Sequence, residues 1–213
     1  FLSLDYQSVQ GLGAVLDIAS GESVSGQGGA IGGSSASSTA VTQAYGQYKK
    51  GALTLMGGRF YTAAGYEVFP VTGNLFVSRS QTFNLEPTYH TGGRANYAFS
   101  DTLNVTVGLL NNTYSVNNNS ENTLKNKTAE LGIAWTASSN LSLGLTHYRS
   151  RPETDLLSFV VKYKFSEDLS FALNVDNTRG NDADVYTAVA FYSTYTFNDK
   201  VKLGLRLEEI KPK

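Results

Sequence analysis

From Leu103 onward the chain alternates apolar and polar residues with few interruptions. Leu103, Val105, Val107 and Leu109 share one face, opposite Asn104, Thr106 and Gly108. Leu141, Leu143 and Leu145 oppose Ser142, Gly144 and Thr146, and Leu169, Phe171, Leu173 and Val175 oppose Ser170, Ala172, Asn174 and Asp176. Val201, Leu203, Leu205 and Leu207 face away from Lys202, Gly204, Arg206 and Glu208. Period two is the period of a strand, and helical i, i+3, i+4 spacing is absent. The pattern predicts twelve strands, over about 1–8, 11–20, 40–49, 52–61, 89–99, 102–112, 128–137, 140–148, 156–165, 168–177, 186–197 and 200–210.

The strands are joined by a repeated turn. Tyr97-Ala-Phe-Ser-Asp-Thr-Leu103 is echoed from Trp135 to Leu141, from Tyr163 to Leu169 and from Tyr195 to Val201. Each is an aromatic strand end, then Ser, Asn or Asp, whose side chains bond nearby backbone in tight turns. Short turns near Gly11, Lys50, Asp101, Ser139, Glu167 and Asp199 alternate with long connections over about 21–39, 62–88, 113–127, 149–155 and 178–185. Two of the long connections carry low-complexity runs, Gly26–Gly33 and Asn117–Asn119, expected in exposed, mobile loops.

Short turns on one side and long loops on the other are the pattern of an outer-membrane barrel. The reading is therefore all-β, one antiparallel transmembrane β-barrel domain over 1–213. With short turns periplasmic, the first strand runs down and the last runs up. Complete barrels start and finish on the periplasmic side, so these twelve strands are expected to be part of a barrel of 14 or more.

Composition sharpens this. Charged residues are only 16% and aromatics 12%, with 13 Tyr and 11 Phe, against a usual charged share of about 25%. A soluble β-sandwich also alternates. Here, however, the apolar face is apolar on nearly every strand, and Tyr97, Phe99, Trp135, Tyr163, Phe165, Tyr195 and Phe197 gather beside the short turns, as an interfacial girdle requires. A net charge of −1 gives no electrostatic case for nucleic acid. With no Cys and only His90 and His147, metal, cofactor and Ser/His chemistry are all poorly supplied. His147 falls on the apolar face near a long-loop edge. The reading is no enzyme and no cofactor.

The opposite face carries Asp5, Asp17, Arg94, Glu130, Lys162, Lys164, Asp176, Lys202, Arg206 and Glu208, the charges expected to line a lumen. Lys162, Lys164, Lys202 and Arg206 lie on nearby strands and point to a local preference for anions. A second group surrounds the 62–88 connection, which is too long for a hairpin turn. Arg59, Glu67, Arg79, Glu86, His90 and Arg94 are expected to tie this loop down and narrow the pore, with a His90–Glu86 pair one option. The break in alternation at Met56-Gly-Gly58 predicts a bulge that re-aims Arg59 inward.

Three blocks in this region carry a resemblance. Gly58-Arg-Phe-Tyr-Thr-Ala-Ala-Gly-Tyr-Glu67 is followed by Asn74-Leu-Phe-Val-Ser-Arg-Ser80 and then by Glu86-Pro-Thr-Tyr-His-Thr-Gly-Gly-Arg94. In order and spacing they resemble the OmpL-like β-barrel porin family of Gram-negative outer membranes. The match is close over about 40–114 and looser to the end. The resemblance implies a channel and names no solute. The expected function is a porin passing small hydrophilic solutes by diffusion, set among lipid and lipopolysaccharide, with a homo-oligomer or an outer-membrane partner protein possible. The alternative is a barrel that sheathes or scaffolds a partner such as a lipoprotein or an electron-transfer protein.

Overall fold

The structure, a computed structural model, describes residues 1–20, 39–111, 113, 127–150, 155–180 and 185–212. The Gly26–Gly33 and Asn117–Asn119 runs lie outside the described residues. Twelve strands form: β1 Leu2–Gln7, β2 Leu12–Ser20, β3 Thr39–Lys50, β4 Leu53–Tyr61, β5 Tyr89–Ala98 and β6 Leu103–Leu110. They continue as β7 Thr128–Ser138, β8 Leu141–Arg149, β9 Asp155–Lys164, β10 Leu169–Arg179, β11 Tyr186–Asn198 and β12 Val201–Pro212. All twelve stand where the alternation places them. Between β4 and β5 lie a 3-10 turn at Val71–Gly73 and one short helix, α1, Gln81–Leu85.

The strands make a single sheet in the order β1 to β12, each antiparallel to its neighbours in sequence. A sandwich would divide them between two sheets, so that rival is excluded. The repeated turns share one mechanism. Ser100, Ser138 and Ser166 each accept, at Oγ, the backbone N–H groups two and three residues on, at 3.0–3.3 Å. Asn198 Oδ1 does the same for Lys200 and Val201 at 2.9 and 3.0 Å. The side-chain oxygen meets N–H groups that the reversing backbone leaves unpaired.

One expectation fails. β4 pairs in unbroken register with both β3 and β5 from Leu53 onward, so there is no bulge at Met56–Gly58. The alternation lapses because Gly58 takes φ +134 beside β3, where a Cβ would lie 2.3 Å from the Ala44 carbonyl oxygen. Bulges occur instead at Asp17/Ile18 and, next to short turns, at Thr136/Ser138 and Thr196/Asn198.

Register sorts the two faces. One hydrogen-bonded row runs Trp135, Leu143, Val161, Leu173, Phe191, Leu207, and the next runs Thr136, Ser142, Lys162, Ala172, Tyr192, Arg206. The apolar pleat is bare: Leu203 is 60% exposed and Phe159 37%, while the girdle rings Phe99, Phe165 and Phe197 stand at 64, 62 and 59%. In water such a belt would be an aggregation surface; against lipid it is the solvent match. Leu173→Arg is expected to destabilise the protein by about 2–4 kcal/mol near the bilayer midplane, read by refolding into lipid. A neutral result would place Leu173 off the lipid face.

The sheet is strongly curved. Strands lie about 4.8 Å apart, so β4 and β12 would stand roughly 38 Å apart in a flat sheet. Glu67 is only six residues beyond the end of β4, a reach of at most about 21 Å, yet it pairs with Arg206 of β12 at 3.2 Å. The sheet must curl around the 62–88 segment.

Candidate functional site

The 62–88 segment leaves β4 and runs along the polar pleat of β8 to β12. Ala63 donates its N–H to Tyr148 OH at 2.9 Å, and its carbonyl accepts from Thr146 Oγ1 at 3.0 Å. Gly65 N–H reaches Ser158 Oγ on β9 at 3.1 Å. The Tyr66 ring packs on Tyr192 of β11, centroids 4.4 Å apart. Further along, Tyr186 OH donates to the Leu85 carbonyl at 2.6 Å, and Thr82 N–H donates to Glu208 Oε2 at 3.2 Å. Ser80 caps α1 by accepting from Phe83 N–H at 2.9 Å.

Glu67 is the main anchor. It is buried and accepts from Ser80 N–H at 3.1 Å, Tyr192 OH at 3.2 Å and Arg206 Nη1 at 3.2 Å. Arg206 also holds Glu208 at 3.0 Å and donates to the carbonyls of Ser78 and Arg79 at 2.8 and 3.1 Å. Arg206, one of the basic groups that β12 presents to the lumen, is thereby occupied in gripping the loop. A buried pair of this kind needs its remaining polar atoms satisfied to offset desolvation, and the loop backbone does that here.

Arg94 builds a second cluster, over β5 to β8. Its guanidinium grips Glu130 with two bonds, at 2.8 and 2.7 Å, and donates to the Tyr61 carbonyl at 3.1 Å. Tyr148 OH adds a bond to Glu130 Oε1 at 3.1 Å. The Arg94 guanidinium lies 4.1 Å over the Phe60 ring, and His90 packs against Tyr148 at 4.5 Å. This fork-on-carboxylate geometry is strong and directional.

The third cluster has no cation. Glu86 Oε1 accepts from Asn174 Nδ2 at 2.7 Å, and its carboxyl faces that of Asp176. Glu86 Oε2 and both Asp176 carboxyl oxygens are buried with no hydrogen-bond partner. Gly65 sits directly beneath, at φ +87, where a Cβ would come within 2.0 Å of Glu86 Oε2. Burial, reinforced by the Asp176 charge, pushes the Glu86 carboxyl well above the usual carboxylate range.

The expected site residues thus divide. Glu67 and Glu86 join the loop to β10, β11 and β12, whereas Arg94 pairs along the sheet with Glu130, two strands away in the same row. His90 packs on Tyr148 of β8, and Glu86 bonds Asn174 of β10. Arg59 lays its guanidinium over the Tyr89 ring at 3.9 Å. Arg79 serves the loop itself, donating to the Val68 and Phe69 carbonyls and lying 4.4 Å over Phe83. Lys162, Lys164 and Lys202 share the polar pleat with Asp176 and Glu130, and none is ion-paired among the described residues. Asp5 shares the pleat of Asp17, which accepts from Ser3 and, at 2.7 Å, from Gln43. His147 pairs with Leu131 and Leu157 on the apolar pleat. Tyr148, Tyr192, Ser158 and Asn174 escaped the sequence reading. The signal for the tyrosines was present, since each is a large ring on an otherwise small polar face.

A family model described as "Putative beta-barrel porin-2, OmpL-like" matches residues 1–213. The chain belongs to that family. It is an outer-membrane porin, and its curved antiparallel sheet has the porin fold. A substituted form of Rh. blastica porin superposes with a TM-score of 0.60 at 16% identity, over 99% of this chain and 73% of that one. A triple mutant of Rhodopseudomonas blastica porin gives 0.60 at 14% identity, with the same coverage. OprD from Pseudomonas aeruginosa gives 0.56 at 13% identity, over 98% of this chain and 50% of that one. At these identities the likeness is one of fold alone. No curated protein matches the chain.

Proposed function

We propose that this porin passes small hydrophilic solutes by diffusion through a lumen whose constriction is the 62–88 loop, with no chemical step. The observation that carries this reading is the Glu67–Arg206 junction, which fastens a loop of the β4–β5 connection to the far wall. Glu67, Glu86, Arg94 and His90 shape the narrow zone, and Arg59 and Arg79 stiffen its base and its loop. Lys162, Lys164 and Lys202 charge the wall beyond it. The two histidines stand on opposite pleats, which favours passage over catalysis. Nothing among the described residues favours a partner protein inside the barrel.

Among the described residues, β1 and β12 each pair on one side only. In a bilayer their outer N–H and C=O groups need partners, so the conducting form covers both edges with further β-structure, from further strands or a second copy. Lipid and lipopolysaccharide surround the apolar pleat.

Planar-bilayer recording with reversal potentials tests the assignment. Wild type should show stable open-channel steps, and silence would sink the proposal. Lys202→Glu should move ion preference toward cations at nearly unchanged conductance. Arg79→Glu should instead raise conductance, because its guanidinium braces the loop backbone at Val68 and Phe69. An Arg79→Glu channel with wild-type conductance would remove Arg79 from the constriction.

A further inference from the structure

Below the loop, toward the short turns, two adjoining cavities of about 260 and 240 Å³ open against the wall of β7 to β11. They share Ser142 and Lys162. Neither is lined by a carboxylate. Lys162 holds its ammonium 5.3 Å from the centroid of the Tyr66 ring, at the underside of the constriction. Lys164, Asn140, Ser142 and Thr194 complete a floor of cations, hydroxyls and an amide. The wall acids that could cancel this charge are engaged elsewhere: Glu208 with Arg206, and Asp176 beneath Glu86. Asp5 lies on β1, outside both linings.

We infer that these cavities form a binding subsite for a small polyhydroxylated carboxylate of the sugar-acid class. The two lysines attract the carboxylate, and the hydroxyl and amide side chains answer the hydroxyls of the solute. Tyr66 presents a ring face of the kind that covers the apolar side of a sugar ring. A cation without an ion-pair partner in a confined, partly desolvated space interacts with an anion more strongly than in open water. The cavities together reach the lower part of the size range of small-molecule sites, roughly 300–1,000 Å³. Solute caught here waits directly at the narrow zone. The inference rests on the channel reading and deepens it, by naming the solute class.

The test compares glucuronate with glucose, which share ring size and hydroxyls and differ in the carboxylate. Glucuronate should interrupt the open-channel current at concentrations where glucose does not. Lys162→Gln should weaken that block by roughly tenfold, the usual worth of one charge-assisted hydrogen bond, and Lys162→Arg should retain most of it. Equal block by the two sugars, or full glucuronate block of Lys162→Gln, overturns the inference. Calorimetric titration of glucuronate into the detergent-solubilised protein reads the same site without conduction. Binding that is lost in Lys162→Gln would uphold the subsite even for a silent channel, where the diffusion reading would fall. No binding by wild type would overturn the subsite alone.

Discussion

Deleting residues 68–84 is expected to raise single-channel conductance several-fold. The resistance of a pore is set mainly by its narrowest section, and this segment lies inside the curve of the sheet rather than beyond its rim. The deletion removes α1, the Ser80 N–H bonded to Glu67, and the Ser78 and Arg79 carbonyls that hold Arg206. It leaves the Ala63 and Gly65 contacts to β8 and β9, and the strand pairing does not depend on it. Arg206 would keep only its side-chain partners Glu67 and Glu208, and Glu208 would lose the Thr82 N–H, so selectivity should shift together with conductance. Retention of the folded electrophoretic form would show that the barrel persists. A folded deletion variant with wild-type conductance would mean that the loop does not obstruct the pore.

The second large effect is a rise in conductance with pH. Glu86 meets Asn174 and Asp176 from β10 and the field of Glu67 in its own loop and of Tyr192 from β11, while Asp176 also faces Ser158 from β9. None of these is a cation. The docked loop therefore holds the Glu86 carboxyl above its ordinary range, first through burial and then through Asp176. A group with a higher pKa when docked binds more protons in that state. Docking is strongest below the ordinary carboxylate pKa of about 4.3 and weakens as pH rises toward the raised value. Each unit between the two changes the docking equilibrium about tenfold. Open probability should climb across that window. Glu86→Gln, neutral at every pH and still able to accept from Asn174, should flatten the profile and keep the loop docked. Identical pH profiles in wild type and Glu86→Gln would show that this pair does not control the loop.

The Arg94–Glu130 pair differs from this carboxyl pair because opposite charges attract directly across two hydrogen bonds. Two carboxyls, by contrast, hold together only through a shared proton. The loop is thus fastened by an ion pair, at Glu67 and Arg206, and by a carboxyl pair, at Glu86 and Asp176.

The strands, their order, their two faces and the turn chemistry were legible in the residues. All depend on contacts between near neighbours: period-two alternation decides which side of a strand meets lipid, and Ser100, Ser138, Ser166 and Asn198 close turns within three residues. The outward placement of Leu173 and the inward placement of Lys162 follow from the same local rule. The partners of the loop depend on separations of about a hundred residues, such as Glu67 with Arg206 or Glu86 with Asn174, and no periodicity encodes those. Arg79 shows the difference. Its charge and its position in a long loop were visible, but only the tertiary structure decided that it would brace the Val68 and Phe69 carbonyls instead of facing the lumen. Likewise His90 stood four residues from Glu86 in sequence, yet the turn into β5 sends them to different walls. Curvature is the physical cause. It is a property of the whole sheet, and it alone brings β4 and β12 close enough for one short loop to span them.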